Sequence, residues 1–335
     1  MVERFEVLEL GTIIFLAFLL DLFLGDPRYR LHPIRLVGKS ISFFEKVLRR
    51  LGWDGRGGGI LLVVITEGAA LIGYLTLRCV LSRAHAYLGL AFDVFICYSC
   101  LSLKDLIQHI KPVIHALQKN DLLKAKKEIA QVVGRDVRYL DKEGVSRAGV
   151  ETLAENFVDG FLSPLFWFVG GALLGGLFGL PPVIAGVGFM LVFKAGNTLD
   201  SMVGYKDERF VDMGWSGARL DDLMNFMPAR LSLLILFLGA CVAGRHPLDG
   251  LRTAIRDRLK HDSPNAAHPE SFVAGALRVR LGGPTRYAEG MKDKPWLGEE
   301  HPDPSPIHVQ RACLLTKYSA WVSMAAALSA VLLFG

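Results

Sequence analysis

The stretch that decides the fold is a run of 33 residues from Phe161 to Phe193, FLSPLFWFVGGALLGGLFGLPPVIAGVGFMLVF, in which no side chain carries a charge. A helix needs about 20 apolar residues to cross a bilayer, so the run is short for two full spans. Because Gly179-Leu-Pro-Pro interrupts it with turn-forming residues, we predict a tight transmembrane hairpin. Gly171, Gly175 and Gly179, each four apart, predict one narrow face for close helix contact.

Five further apolar runs lie outward from this hairpin, near residues 7–24, 60–81, 86–103, 231–244 and 318–335. The 335-residue chain is 51% hydrophobic, with a mean hydropathy of +0.34, which is high for a soluble protein. We predict an all-α, polytopic integral membrane helical bundle with cytoplasmic helical loops, forming one membrane-embedded catalytic domain. The run at 231–244 is short for a crossing and fits a re-entrant or in-plane element better.

The connections predict the orientation. Lysine and arginine number eight in residues 25–59, ten in 104–160 and twelve in 245–317. Positively charged connections stay on the cytoplasmic side, so we predict that these three segments, together with 194–230, face the cytoplasm. The chain would then cross the cell membrane six times. The net charge of +5 expresses this orientation. Since no basic stripe with interleaved aromatic residues occurs, nucleic acid is not an expected partner.

Polar residues follow the hairpin at once. Lys194, Asn197 and Asp200 are three apart, which places them on one helical face, and Lys206 comes shortly after. Carboxylate and amide oxygens can hold Mg²⁺, while lysine neutralises phosphate. This pattern favours a phosphate and metal site, and its structural alternative is an ordinary charged interfacial loop.

A second polar set precedes the next apolar run. Arg219 and Asp222 lie three apart, and Arg230 follows within the motif Pro-Ala-Arg. The chemistry is again that of an acid able to hold a cation beside arginines able to bind phosphate.

An acidic stripe leads into the hairpin from its N-terminal side. Arg147, Glu151, Glu155 and Asp159 recur every four residues, so they share one face of a helix. A solvated, salt-bridged face would look similar. Function is favoured because a helix about to enter lipid has little reason to carry acids on its final turn unless they line a cavity.

Three acids lie within the first three apolar runs, where an ionised carboxylate costs at least ~2 to 3 kcal/mol. They are Asp21, Glu67 and Asp93. For Glu67 and Asp93, the sequence is equally compatible with a functional role and with a hydrogen bond between helices.

A last block contains Asn265, Arg280 and the pair Gly282-Gly283. Two glycines beside arginines can wrap an anion through backbone N–H groups. They can equally form a plain turn.

Five motifs follow one another along the chain. They are Asp21-Leu-Phe-Leu-Gly-Asp-Pro with His32-Pro, Ala154-Glu-Asn-Phe-Val-Asp-Gly with Ser163-Pro-Leu-Phe-Trp, Asn197-Thr-Leu-Asp-Ser-Met-Val-Gly-Tyr-Lys, Ala218-Arg-Leu-Asp-Asp with Pro228-Ala-Arg, and Pro264-Asn with Ala274-Gly-Ala-Leu and Leu281-Gly-Gly. In this order, from about residue 13 to 325, the chain resembles the adenosylcobinamide-phosphate synthase family of cobalamin biosynthesis. Two departures from the family pattern are Ala266-Ala267, where a Ser-Gly type of turn is expected, and Arg278, where a glycine is usual.

The resemblance implies a membrane ligase that joins the propionate carboxylate of adenosylcobyric acid to (R)-1-amino-2-propanol or its phosphate, with ATP and Mg²⁺ as co-reactants. Activation of the carboxylate, most simply as an acyl phosphate, needs acids that hold metal and cations that bind phosphate. The catalytic and Mg²⁺-holding candidates are Glu155, Asp159, Asp200 and Asp222. The candidates for substrate or phosphate binding are Lys194, Asn197, Lys206, Arg219, Arg230, Asn265, Arg280, Gly282 and Gly283.

Expected partners besides the corrinoid, the amine and the lipid bilayer are other cobamide-assembly enzymes and a second copy of the chain. One alternative is a transporter in which Asp21, Glu67 and Asp93 form an ion path. Another is a non-catalytic membrane subunit of a cobamide-assembly complex. Most polar residues lie at the ends of apolar segments rather than within them, which favours an enzyme.

Overall fold

A computed structural model describes residues 2–27, 29–205, 207–287 and 290–334. Within them the chain forms thirteen α-helices, a five-residue π-helical turn at Val158–Leu162 and four short strands, which confirms the predicted all-α class. The helices are α1 (Val2–Leu24), α2 (Pro33–Arg50), α3 (Arg56–Ala84), α4 (Ala86–Cys100), α5 (Leu103–Gln118), α6 (Leu122–Ile129), α7 (Lys142–Phe157), α8 (Ser163–Leu177), α9 (Pro182–Val203), α10 (Trp215–Val242), α11 (Pro247–Asp257), α12 (Ala267–Leu277) and α13 (Pro306–Phe334).

Several helical segments are long and apolar enough to cross a membrane, so the chain is a multi-pass membrane protein. The apolar run 231–244 is the C-terminal half of the 28-residue helix α10 rather than a separate short element. The number of crossings and their direction stay predictions. The five segments found among the described residues are Arg56–Ala84, Ala86–Gln118, Lys142–Leu177, Pro182–Val203 and Trp215–Val242.

The chain divides into two compact units. Unit 1 comprises Met1–Ser102, Ser163–Met224 and Met324–Gly335, and unit 2 comprises Leu103–Leu162 and Asn225–Ser323. Because both units combine segments that are distant in sequence, no shift of composition along the chain marks the division.

In unit 1, α8 and α9 form the predicted hairpin, with its turn at Gly179, whose φ is +68°. A side chain at Gly171 would put its Cβ 2.6 Å from the Cβ of Phe189, and one at Gly175 would collide with Ala185. The close contact predicted for these two glycines is therefore confirmed. Gly179 belongs to the turn instead, where its positive φ suits a residue without Cβ.

A core of unit 1 lies among α2, α3 and α9, where Ile41, Leu62 and Leu199 are almost completely buried. Burying each such side chain contributes about 1.5 to 3 kcal/mol. This packing fixes α9 and thereby the polar residues on its last turns.

Unit 2 combines α5, α6, α7, α11 and α12 with two small antiparallel strand pairs. Strands β1 (Leu281–Gly282) and β4 (Trp296–Leu297) pair with Leu281 opposite Leu297, and β2 (Thr285–Tyr287) pairs with β3 (Gly290–Lys292). Arg278 ends α12 in the left-handed region, at φ 54°. Glycine is favoured at such a helix end because it carries no Cβ, which accounts for the family preference noted at this position.

Candidate active site

Unit 2 contains a cavity of about 280 Å³ next to α7. It is bounded by the loop after α6, by α7, by the connection from α11 to α12 and by the two strand pairs, β1 with β4 and β2 with β3. The lining residues are Val132, Val133, Gly134, Arg135, Glu151, Thr152, Glu155, Asn156, Lys260, His261, Glu270, Gly282, Thr285, Lys294, Pro295 and Leu297.

The acidic stripe of α7 supplies the first carboxylate of this cavity. Glu151 is 4% exposed, forms an ion pair with Arg135, and accepts a hydrogen bond of 2.7 Å from the backbone N–H of Gly282. Both contacts are charge-assisted and therefore stronger than neutral hydrogen bonds. Glu151 thus anchors the wall of the cavity.

Two further glutamates line the cavity. Glu155 follows Glu151 by one helical turn and is exposed, whereas Glu270 of α12 is 6% exposed. Burial raises the pKa of the Glu270 carboxyl well above its usual range, and the negative charges of Glu151 and Glu155 act in the same direction against Lys294 and Arg135. A carboxyl whose pKa is raised in this way holds its proton more tightly than an exposed glutamate does.

Cations share the cavity with these acids. Arg135, Lys260 and Lys294 line it, and the ammonium of Lys260 also lies 2.8 Å from a carboxylate oxygen of Asp257. Burial lowers the pKa of the His261 imidazole, with the charge of Lys294 acting in the same direction. The cavity therefore offers both signs of charge to a small ligand.

The pair of strands β1 and β4 beside the cavity is held by a network of two arginines, one carboxylate and one aromatic ring. Trp296 lies beneath two guanidinium groups, with the Cζ of Arg147 4.5 Å and the Cζ of Arg280 4.3 Å from its ring. Both arginines also bind Asp303, at 2.5 Å and 2.6 Å. Arg280, a predicted phosphate ligand, is thus engaged by a carboxylate of the protein.

The glycine pair also has partners within the protein. Gly282 N–H binds Glu151, and Gly283 N–H donates to the carbonyl of Pro295 at 3.2 Å. Their φ values are +74° and +76°. Gly282 lines the cavity, and the N–H groups of both glycines hold the wall together.

Asp159, the last residue of the stripe, lies in the π-helical turn at Val158–Leu162 and is not among the residues that line the cavity. Insertion of a π turn rotates the following residues relative to the preceding helix. Such turns occur often at functional sites, and the four-residue spacing could not reveal this one.

The residues predicted after the hairpin lie in unit 1, on the last turns of α9. The amide of Asn197 donates to a carboxylate oxygen of Asp221 at 3.1 Å. Asp200 lies against Gly204, where a Cβ would collide with its carboxylate. The spacing of the Asn-Thr-Leu-Asp-Ser-Met-Val-Gly motif thus reflects a helix end at which Gly204 makes room for Asp200.

Lys194, on the same helix, acts on a pair near the end of α1. The imidazole Nε2 of His32 lies 2.8 Å from a carboxylate oxygen of Asp26. Burial alone would raise the pKa of Asp26, but the hydrogen bond and charge of His32 and the charges of Arg35 and Lys194 lower it. Asp26 and His32 belong to the first family motif, yet the residue pattern did not single them out as site residues.

The remaining predicted members of unit 1 are Arg219 and Asp222, which form an ion pair of 3.7 Å within α10, and Lys206, which lies outside the described residues. The arginine of this pair is 66% exposed at its side chain. Such an exposed ion pair contributes at most ~1 kcal/mol to the free energy of unfolding, so it has little effect on the stability of the fold.

In unit 2, the predicted ligands Arg230 and Asn265 contact each other. A guanidinium nitrogen of Arg230 donates to the side-chain oxygen of Asn265 at 3.4 Å and to the carbonyl of Phe226 at 2.6 Å. Asn265 is 7% exposed, so it is held at the start of α12.

The three acids within the apolar runs differ in their hydrogen-bond partners and their burial. Asp93 accepts hydrogen bonds from the hydroxyl of Tyr74 at 2.7 Å and from Arg78 at 2.9 Å, which supports a structural role. The two carboxylate oxygens of Glu67 are buried without a hydrogen-bond partner among the described residues. Asp21 is fully buried in α1.

Among the described residues, no three acidic, histidine or cysteine side chains are grouped closely enough to hold a metal ion by themselves. Mg²⁺ is commonly bound by one or two carboxylates together with substrate phosphates, rather than by a cage of protein ligands. The carboxylate of Glu155 fits that mode, because it lines a cavity that also holds cations.

Glu270, Arg135 and Lys294 were not predicted from the sequence. Glu270 belongs to the block His268-Pro-Glu, but nothing in its spacing relates it to Glu151 and Glu155, more than a hundred residues earlier. Long-range packing of α12 against α7 brings these acids together.

Fold and site together define a multi-pass α-helical membrane protein whose unit 2 carries a small cavity lined by opposed charges. The chain belongs to the family described as CobD/Cbib protein, whose model matches residues 14–316. The resemblance seen in the motifs is thereby confirmed, and the chain is assigned to cobalamin biosynthesis.

Relatives along nearly the whole chain agree. The chain is 41% identical over 288 residues to the cobalamin biosynthesis protein CobD of Pelobacter propionicus, covering 86% of this chain and 85% of that protein. It is 39% identical over 321 residues to the CobD protein of Klebsiella pneumoniae, with 93% of each covered. The cobalamin biosynthesis protein CbiB of Salmonella typhimurium is 38% identical over 322 residues, with 94% of each covered. No solved structure matches the chain significantly.

Proposed function

We propose that the protein is an acid–amine ligase that joins the propionate carboxylate of adenosylcobyric acid to (R)-1-amino-2-propanol or its phosphate, with ATP and Mg²⁺. The carboxylate oxygen takes the terminal phosphoryl group of ATP and ADP leaves. The amine nitrogen then attacks the acyl carbon, inorganic phosphate leaves, and adenosylcobinamide or its phosphate forms. Phosphoryl transfer of this kind relies on positioning and charge stabilisation.

The observation that carries this proposal is the unit 2 cavity, which presents glutamates and cations to one small volume. At about 280 Å³ it lies near the lower end of the roughly 300 to 1,000 Å³ typical of small-molecule sites. That size suits the amine rather than a corrinoid macrocycle. Because both charge signs face the cavity, the phosphorylated amine, which carries an ammonium and a phosphate, suits it better than the free amino alcohol.

Each side chain then has a chemical task. Glu155 binds the ammonium or a Mg²⁺ ion, and Lys260 and Lys294 bind the phosphate of the amine. Glu270 accepts the proton that the ammonium must lose before its nitrogen can attack, acting from the carboxylate form that the neighbouring charges of Lys294 and Arg135 favour. Mg²⁺, when bound with ATP, would neutralise charge on the transferred phosphoryl group.

The test uses the full chain in detergent with adenosylcobyric acid, aminopropanol phosphate and Mg-ATP, following the product by mass. Glu155→Gln and Glu270→Gln should lower turnover by about a hundredfold, as expected for loss of a positioned acid or base. Glu143→Gln is the matched control, because Glu143 lies on the same helix α7 and is exposed. Absence of product from the wild-type protein would contradict the proposal.

Metal dependence adds a second measurement. If Glu155 or Asp159 contacts Mg²⁺, Glu155→Gln and Asp159→Asn should require more Mg²⁺ for half-maximal turnover while the protein stays in the membrane. An unchanged Mg²⁺ requirement in both variants would show that the acidic residues of α7 form salt bridges and do not bind Mg²⁺.

We further propose that the protein lies in the cytoplasmic membrane with residues 119–141, between two candidate spans, and residues 245–317 facing the cytoplasm, because basic residues concentrate there. Cys79 and Cys241 are exposed, so both should first be replaced by serine. Lys119→Cys, at an exposed position, should then resist an impermeant external thiol reagent in sealed cells. Labelling of this cysteine from outside would show that the orientation is the opposite of the one proposed.

A further inference from the structure

A second polar cluster of unit 2 lies where α10, α11 and α12 come together. It consists of Arg230 on α10, Arg258 at the end of α11, and Asn265 and His268 at the start of α12. None of the four lines the cavity described above. We call this set the arginine cluster.

The two arginines carry no counter-charge among the described residues. Arg230 donates to the carbonyl of Phe226 and to the amide oxygen of Asn265, both neutral acceptors. Arg258 donates to the carbonyl of Ile255 at 2.6 Å. By contrast, Arg256 on the same helix binds two carboxylates, those of Asp257 and Glu300, at 2.7 Å each. Two partly buried guanidinium groups without an acid repel each other and favour an anion between them.

His268 adds an unsatisfied polar atom to this cluster. The residue is 2% exposed, and its Nδ1 has no hydrogen-bond partner among the described residues. Burial lowers the pKa of His268 to about 4, with the charges of Arg230 and Arg258 contributing, so the imidazole is neutral at physiological pH. A buried polar atom without a partner costs roughly 1 to 3 kcal/mol, which a bound acceptor would offset.

The N-terminus of α12 lies at the same place and adds the positive end of its helix dipole. The helix has eleven residues and no side-chain cap at its start. The N–H of His268 donates to the carbonyl of Asn265 and Pro269 has no N–H, so the helix dipole, rather than a row of free donors, favours an anion at this position.

We propose that Arg230, Arg258, His268 and the first turn of α12 form a binding site for a phosphate group. The ligand class is an inorganic phosphate or the phosphate chain of a nucleotide. Since His268 and Glu270 are two positions apart on α12, they point to different faces of the helix, and this site is separate from the cavity that holds Glu270. The inference does not depend on the ligase proposal, because it concerns binding alone.

The test is calorimetric titration of the full chain in detergent with inorganic phosphate and with ATP, without corrinoid or amine. Arg258→Gln should weaken binding at least about tenfold, equivalent to 1.4 kcal/mol. Arg252→Gln is the matched control and should bind as the wild type does, since Arg252 lies on the same helix, is 79% exposed at its side chain and pairs with Asp249. Stronger binding of ATP than of phosphate would identify the nucleotide as the source, and equal binding would show that the phosphate group alone is recognised.

Two further variants guard against loss of folding, which is checked by thermal unfolding without ligand. Arg258→Lys keeps the charge and should lose less affinity than Arg258→Gln, and His268→Gln should weaken binding by several-fold through loss of one hydrogen bond. Wild-type affinity in Arg258→Gln and His268→Gln, or no phosphate binding by the wild-type protein, would overturn the proposal.

Discussion

Glu151 Oε1 accepts a hydrogen bond of 2.7 Å from the backbone N–H of Gly282, which joins α7 to a turn 131 residues further along the chain. The other carboxylate oxygen binds Arg135. One buried acid therefore holds two walls of the cavity, and the glycine turn serves the protein's own carboxylate.

Glu151→Ala should consequently lower the stability of unit 2. It removes the acceptor of a backbone N–H and one partner of the partly buried Arg135 guanidinium, and breaking one side of a buried ion pair typically costs about 3 to 5 kcal/mol. Glu151→Gln keeps an acceptor and should cost less. Thermal unfolding in detergent measures both, with Glu143→Gln as the control; a wild-type melting temperature for Glu151→Ala would show that Arg135 and Gly282 find other partners.

Gly283→Ala should also destabilise the cavity wall. Its φ of +76° is unfavourable for any residue with a Cβ by roughly 1 to 2 kcal/mol. The new Cβ would in addition lie 2.5 Å from the ring of Trp296. Gly176→Ala in α8 is the control, because nothing lies within 4 Å of its Cβ position, and an alanine there should be neutral or slightly stabilising. Equal melting temperatures for the two variants would contradict the strain argument.

Asp93 should prove structural rather than catalytic. Its carboxylate is 0% exposed and binds both Tyr74 and Arg78, so Asp93→Ala would leave a guanidinium without its partner inside an apolar segment. We expect a loss of melting temperature but normal turnover per folded molecule at low temperature. A selective loss of turnover in a stable variant would instead assign Asp93 to the site.

The fold could be predicted largely from the sequence because lipid imposes strong constraints. Apolar runs of helical length predicted the polytopic all-α class, and Gly171 and Gly175 predicted the hairpin contact. The four-residue spacing placed Glu155 on the face of α7 that reaches the cavity. These features depend on residues close together in the chain.

Features that depend on distant segments were not predictable. The partners of Gly282 and Arg280 are Glu151 and Asp303, and no local pattern links the first pair, since 131 residues separate its members. The π turn before α8 likewise breaks the periodicity on which the position of Asp159 was inferred. Local spacing identified residues with the right chemistry, whereas tertiary packing decides which of them meet.

His268 should contribute to the pH dependence of the free energy of unfolding. Its pKa in the folded protein is about 4, whereas an unfolded histidine titrates near 6.5, so the unfolded state binds the proton first as the pH falls. Stability should therefore decrease as the pH falls from about 6.5 to about 4, by at most about 3 kcal/mol from this residue. His268→Gln should flatten that decrease in melting temperature, while His115→Gln, at an exposed position on α5, should retain it. An unaltered slope in His268→Gln would contradict the assignment.

Asp200 provides the last prediction, because it tests the polar face at the end of α9 independently of the cavity in unit 2. The core of α2, α3 and α9 holds this helix, and Gly204 leaves room for the carboxylate. Loss of a rigidly positioned charge from a transition state can cost roughly 3 to 4 kcal/mol, or ~10² to 10³ in rate, whereas an exposed interfacial charge contributes no more than ~1 kcal/mol. Asp200→Asn should therefore keep expression and folding but lose turnover by at least about a hundredfold. Lys119→Gln, at an exposed position after α5, should change little. The comparison is product formed per folded molecule, and equal, near-wild-type rates for the two variants would show that the polar face of α9 is membrane-surface packing and that the chemistry depends on other residues.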